Sequence, residues 1–426
     1  MVDLVGATAR DNTGGAVRVA YVMSRFPKLT ETFVLDEMIA VERHGASVEL
    51  FPLLRERGGP VHPEAVPWVR RAHYLPFLSP AVLGSNLRLL VQHPRRYLGA
   101  VGAMVRGTAR SPNFLLGGIG IFPKVVHAAR EMARLRVDHV HCHFANHPAL
   151  AGWLIHRLTG IPWSFTAHGS DLNVDRTMLP EKVRGATFVV AISEVNRRLI
   201  ETTCGGSAPN VRVLHVGIDT RRFAPSAARA TDDETRRSRV LCVGTLHEVK
   251  GQRHLIEAAR LLADRGIGVD LTFVGDGPDR AELEELAASV PLPATITFAG
   301  QQVRTAVVDL LQEADLLVAP SVPTRAGKRE GIPVVLIEAM ASGVAVVASH
   351  LSGIPELVED GVTGRTVPPG DARALADAMA ELLADPDRRR RLAAGGRDRV
   401  MAKFDLDRNA DCLVEWFRRG LASQPA

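Results

Sequence analysis

Short runs of β-branched and aliphatic residues alternate with amphipathic stretches from residue 17 almost to the end of the chain, and the alternation starts afresh near residue 239. Strands alternating with helices imply a parallel sheet covered on both faces, so the expected class is α/β. The first series places strands at 17–23, 47–52, 138–143, 163–167, 187–192 and 211–216, with helices at 31–43, 149–159 and 193–202 and a turn at 24–29. The second begins at Arg239 and places strands at 270–274, 296–299, 316–319, 345–348 and 364–367, with a helix around 334–341 and closing helices at 372–384 and 386–400. Residues 224–238 are rich in Ala, Asp and Arg without an apolar period and read as a linker. The expected domains are therefore 17–223 and 239–403, after a frayed start at 1–16, with 404–426 a helix that returns to brace the first domain. Two such open sheets place the expected active site in a cleft at the carboxyl ends of their strands.

A length of 426 residues suits two domains, and 46% hydrophobic with 23% charged residues excludes extended disorder and coiled coil. Four dispersed cysteines without a C-x-x-C pair argue against a zinc ribbon, a redox motif or a disulfide framework and fit a reducing compartment. The first residues lack an apolar core after a basic start, and the runs 114–122 and 333–349 are too short to span a bilayer, so a cytoplasmic protein is expected. Charge is uneven. The net charge is +5, yet residues 69–136 hold eleven Lys and Arg against the single acid Glu131, with Leu, Val, Phe and Gly between them. Such a segment reads either as Arg-rich solvated helix faces or as amphipathic helices near an anionic acceptor or an anionic membrane surface.

The stretch 329–342, REGIPVVLIEAMAS, carries the most chemistry. Glu330 precedes a helix entry near Pro333, which has no N–H to lose in a first turn, and Glu338 follows a little over two turns later. Unpaired N–H groups at such an entry can hold phosphate or sugar oxygens, and two carboxylates can accept from two polyol parts of one ligand.

That segment, EGIPVVLIEAMASGVAVVAS followed by SGIPELVEDGVTG, resembles the donor site of retaining glycosyltransferases of family 4, which have the GT-B fold of two facing Rossmann-like domains. VGTLHEVKGQRHLIEAARLL, LTFVGDGPDRAELE and ADLLVAPS resemble the same family in the same order, as do HFANHPA, FTAHGSDL, AISE and LHVGIDTRRF in the first half. The opening SRFPKLTETFVLDEM resembles the branch associated with bacterial exopolysaccharide and colanic-acid-type assembly.

The resemblance implies a hexosyltransferase that uses a UDP- or GDP-sugar and a hydroxyl acceptor, soluble or lipid-linked, without a metal or other cofactor and with no nucleic-acid partner. It implies Glu330 on donor-sugar hydroxyls, Gly331 and Ile332 near the sugar or diphosphate, Glu338 on the ribose, Lys250 against the diphosphate and His168 beside the reacting sugar. Thr245 stands where the family often has a phosphate-binding arginine, and Arg25, Arg253, Lys328 and Arg329 are the candidate substitutes. Thr30, Glu31, Thr32 and His143 are candidate acceptor contacts, though Thr and Glu are also ordinary first-turn residues. Asp171 and Ser193 are candidate caps.

His141, His143 and His147 include an H-x-H pair whose side chains share one strand face, but no carboxylate is visible beside them in sequence and no metal is expected. Gly275-Asp276-Gly277 lacks the rest of a dinucleotide fingerprint. The alternatives are an epimerase or phosphorylase on the same fold, or a noncatalytic scaffold that binds a nucleotide sugar or a membrane. Nothing in the chain matches a lysine-bound pyridoxal phosphate.

Overall fold

A computed structural model describes residues 16–28, 31–57, 61–226, 236–291, 293–325 and 327–422. The chain divides into two compact units, one running up to His215 and resuming at Asp407, the other running from Val216 to Leu406. Most of the expected linker lies outside the described residues.

The first unit holds β1 (Val17–Phe26), β2 (Ala46–Arg55), β3 (His139–His143), β4 (Trp163–Ala167), β5 (Phe188–Ala191) and β6 (Val211–Val213) in the order β2-β1-β3-β4-β5-β6. Every pairing is parallel. β3, β4 and β5 are buried along their whole length, as strands with helices on both faces must be. The turn expected at residue 24 begins later. β1 stays paired with β2 through Arg25 with Leu54 and Phe26 with Arg55, because β2 is equally long and Phe26 fills a core position.

Most of residues 69–136 fall in four helices, Val66–Arg71, Pro80–Gln92, Pro94–Thr108 and Pro112–Arg134, each with a proline in its first turn. Proline suits that position because its missing N–H has no intrahelical partner there. Ser79 and Ser111 cap two of them, accepting from the amides of Val82 and Phe114. The last helix, Leu406–Ala422, supplies Phe417, whose ring lies 5.0 Å from His139 and 5.4 Å from His141, and Trp416, 5.6 Å from Phe188.

The second unit holds β7 (Ser238–Val243), β8 (Val269–Val274), β9 (Thr295–Phe298), β10 (Leu316–Ala319), β11 (Ala345–Ser349) and β12 (Arg365–Val367) in the order β12-β11-β10-β7-β8-β9, again all parallel. Separate apolar clusters cover the two faces of this sheet, one around Leu255 and Phe273, the other around Leu336 and Val346. In each sheet consecutive strands run outward from one side of the first strand and the later strands from its other side. The resulting reversal, between β1 and β3 and between β7 and β10, is where the connecting loops part and leave room for a ligand.

Phe417→Ala removes a fully buried ring and is expected to destabilise the first unit by about 3–5 kcal/mol, read as a shift in its denaturant midpoint.

Candidate functional site

In the second unit the loops leaving β7 and β10 carry the candidate donor residues. β7 runs into Gly244 and the exposed Thr245, then a 3-10 turn, Glu248–Lys250, which Gly251 closes at φ +67°. A Cβ on Gly251 would stand 2.0 Å from the Pro320 carbonyl oxygen, so only glycine lets this turn lie against the end of β10. Gln252 braces it by donating to the Thr245 carbonyl at 2.9 Å. Lys250 Nζ pairs with Glu330 Oε1, and Ser321 Oγ donates to Glu330 Oε2 at 2.8 Å. Ser321 closes the stretch ADLLVAPS, whose resemblance gave it no role. The three side chains bring the ends of β7 and β10 to one point at the strand-order reversal.

Glu330, Gly331 and Ile332 lie in the loop before the helix Val334–Ala341, whose first turn has no side-chain cap. Burial of Ile332 in the core fixes where that loop enters the helix. Glu338 is the one residue from Val335 to Ala341 that is not fully buried, which puts its carboxylate on the helix's outer side.

The four cations considered in place of the arginine absent at Thr245 differ in what they contact. Arg253 pairs with Glu282 at 3.1 Å, and Arg25, in the first unit, with Glu56 at 3.6 Å. Lys328 and Arg329 are exposed in the loop that holds Glu330, and neither has an ion-pair partner among the described residues.

In the first unit a cluster forms at the carboxyl ends of β3 and β4. His143 closes β3 and is wholly buried; its Nδ1 lies 3.0 Å from His168 Nε2 and its Nε2 3.1 Å from Glu37 Oε1. With both nitrogens engaged, the His143 ring sits behind His168 rather than on an acceptor surface. Glu37, from the helix Thr32–Arg43, also accepts from the Tyr21 hydroxyl at 3.0 Å.

His168 is half-buried between Phe33 and Phe144, at ring separations of 5.0 and 4.6 Å. Burial, and then His143, holds its pKa well below the usual imidazole value, so the ring is neutral near pH 7. Asp171 secures the backbone here, its oxygens accepting from the amides of Ala145, His168 and Leu172. Both Asp171 oxygens are thus spent on structure, and Ser193 likewise caps the helix Glu194–Thr203 through the Asn196 amide.

Glu37, His141 and His143 bring three potential ligand atoms within 4.8 Å of one another, so the carboxylate that the sequence left unseen comes from the Thr32–Arg43 helix. His141, however, has Nδ1 on Ser164 at 2.8 Å and Nε2 on Thr166 at 3.0 Å, and the His143 nitrogens are taken by His168 and Glu37. Each nitrogen that a cation would need already serves a hydrogen bond. His147 lies apart, stacked on Phe114 at 4.7 Å.

Thr30 lies outside the described residues. Glu31 and Thr32 line a small open cleft together with Arg25, Lys28 and His62. Lys28 pairs with Glu31 Oε1, whereas Glu31 Oε2 is buried without a hydrogen-bond partner among the described residues.

Residues 227–399 match the family described as "Glycosyl transferases group 1", and residues 30–222 match "Glycosyltransferase Family 4". The amylovoran biosynthesis glycosyltransferase AmsK of Erwinia amylovora is 30% identical over 386 residues, covering 86% of this chain and 90% of the relative. The alpha-D-kanosaminyltransferase of Streptomyces kanamyceticus is 28% identical over 347 residues, 76% of this chain and 84% of the relative. Among solved structures, Anabaena Alr3699/HepE in complex with UDP superposes with a TM-score of 0.69 at 19% identity, covering 95% of this chain and all of that one.

Near the His168 loop, Lys182 is fully buried and donates to the Ala145 carbonyl, and burial lowers its pKa to about 7 against the opposing pull of Asp171 and Asp175. Between about pH 7 and 10.5 the unfolded chain holds a proton here that the folded chain has released, so this group makes stability rise with pH over that window. Lys182→Met is expected to flatten that rise, measured as unfolding midpoints at the two ends of the window.

Proposed function

The chain belongs to glycosyltransferase family 4, in the branch of the exopolysaccharide-assembly enzymes, and from that premise we propose that it moves a hexose from a UDP- or GDP-sugar to a hydroxyl acceptor with retention of anomeric configuration. The observation that carries the reading is the Lys250–Glu330–Ser321 cluster at the carboxyl ends of β7 and β10. Glycosyl transfer leaves positive charge on the sugar and new negative charge on the departing diphosphate. Lys250 can stabilise the diphosphate, aided by Lys328 and Arg329 in the neighbouring loop, which we assign to the charge that Thr245 cannot supply. Glu330, held by Lys250 and Ser321, accepts from sugar hydroxyls, and Glu338 accepts from the ribose. A diphosphate oxygen takes the acceptor's proton on the face from which the diphosphate leaves, so no protein carboxylate forms a bond to C1 and no metal is required. The acceptor contacts come from Glu31 and Thr32, which line that cleft.

Glu330→Gln is expected to lower kcat by about 10²–10³, as removal of a group that acts on developing charge does, with nucleotide affinity kept. Glu338→Ala is expected to weaken nucleotide binding by at least about tenfold, the equivalent of one hydrogen bond to a charged group. Wild-type behaviour of both variants contradicts the donor assignment. NMR of the product's anomeric proton decides the stereochemistry, and an inverted product contradicts retention.

A lipid-linked acceptor is favoured by one observation. The helices Pro80–Gln92, Pro94–Thr108 and Pro112–Arg134 expose Leu87, Val91, Leu98 and Leu116, each at least 60% accessible, beside Arg88, Arg95 and Arg96. Exposed apolar side chains flanked by cations suit the surface of an anionic bilayer, and no helix among the described residues is long and apolar enough to cross one. Replacing Leu87, Leu98 and Leu116 with Ser is expected to abolish co-sedimentation with vesicles containing anionic phospholipid while leaving nucleotide binding unchanged.

A further inference from the structure

Glu37 stands on the helix Thr32–Arg43 two turns beyond Glu31, and nothing in the proposed reaction uses it. Its Oε1 is nevertheless the end of a continuous chain of buried polar contacts that finishes at His168. We propose that Glu37 is a positioning residue which, through His143, holds His168 in the tautomer that carries its proton on Nε2 and leaves the Nδ1 lone pair directed away from the network. The proposal rests on the reading that His168 lies beside the reacting sugar.

The Tyr21 ring is wholly buried, and its hydroxyl remains a donor because burial and Glu37 both oppose its ionisation. It donates to Glu37 Oε1 at 3.0 Å. A carboxylate only accepts, so the second contact to that oxygen, 3.1 Å from His143 Nε2, requires the proton on the histidine nitrogen. Where that proton is the only one on His143, its Nδ1 is a lone pair, and the 3.0 Å contact from there to His168 Nε2 closes only if His168 supplies the hydrogen.

The rings are packed to keep this order, with His143 stacked on Tyr21 at 5.6 Å and on His168 at 5.3 Å. His141 takes no part, since Ser164 and Thr166 engage both of its nitrogens. Among the described residues His168 hydrogen-bonds through its amide and Nε2 and not through Nδ1. A lone pair there accepts from a sugar hydroxyl and faces positive charge at C1 favourably. The other tautomer would point an N–H at that charge.

The test begins with the unaltered full-length protein labelled with 15N-histidine. Long-range 1H–15N spectra near neutral pH, with His168 assigned by its loss in His168→Asn, are expected to show a protonated Nε2 and an unprotonated Nδ1. An Nδ1-protonated or doubly protonated His168 overturns the proposal, and this readout stands whether or not any Glu37 variant folds. In Glu37→Gln that folds like the wild type, kcat is expected to fall by about 10–100-fold, the usual cost of losing the group that orients a functional histidine, with the donor KM unchanged. Wild-type kcat in that variant overturns the positioning role alone when His168→Asn is inactive. Wild-type turnover of His168→Asn instead overturns the reading of His168 on which the proposal rests.

Discussion

A parallel sheet cannot turn its chain back on itself at a strand end; every connection must cross to the opposite end through a helix, and where the strand order reverses the crossings go to opposite faces. The two loops at that point diverge and expose backbone and side chains that no helix covers. Both units of this protein are built around such a reversal, and in the second the candidate donor residues stand on its loops. Lys250 and Glu330 come from the loops after β7 and β10, while His143 ends β3 and His168 follows β4. The remaining structure, from the buried strands to the Leu406–Ala422 helix behind β3 and β5, holds these loop ends in place.

The two clusters solve the cost of polar burial differently. In the second unit a cation and a carboxylate are half-exposed and paired, so each remains available to exchange its partner for a ligand group. In the first unit Tyr21 and His143 are wholly dry, and Glu37 must satisfy both. A buried network of this kind is tolerated when every member is satisfied and is costly when one is missing, which is a reason for such residues to stay fixed in one arrangement. The first arrangement suits a site that binds charge, the second a site that orients a ring.

Local pattern reveals local structure here, and much less of what distant segments do to one another. The strands Trp163–Ala167 and Leu316–Ala319 and the helices Val334–Ala341 and Ala372–Ala384 fall where runs of aliphatic residues, proline and capping residues put them. The extension of β1 to Phe26 was hidden because it depends on the length of its partner β2. The four helices between Val66 and Arg134 were visible as an amphipathic basic segment, but glycines and arginines blurred their individual ends. For the site, the motif residues Lys250, Glu330 and His168 were legible through resemblance. Glu37 and Ser321 lie inside the matched stretches SRFPKLTETFVLDEM and ADLLVAPS, but the resemblance gave them no role, and one appears only where the sheet brings them to His143 and Glu330.

Titration calorimetry of the full chain with UDP, GDP and ADP tests, before any acceptor is known, whether the second unit holds a nucleoside diphosphate sugar. Saturable binding of UDP or GDP in preference to ADP is expected, unchanged when a chelator is present, since Lys250 and the cations of the Glu330 loop supply the positive charge. Absence of binding by all three, or binding that vanishes with the chelator, would contradict it.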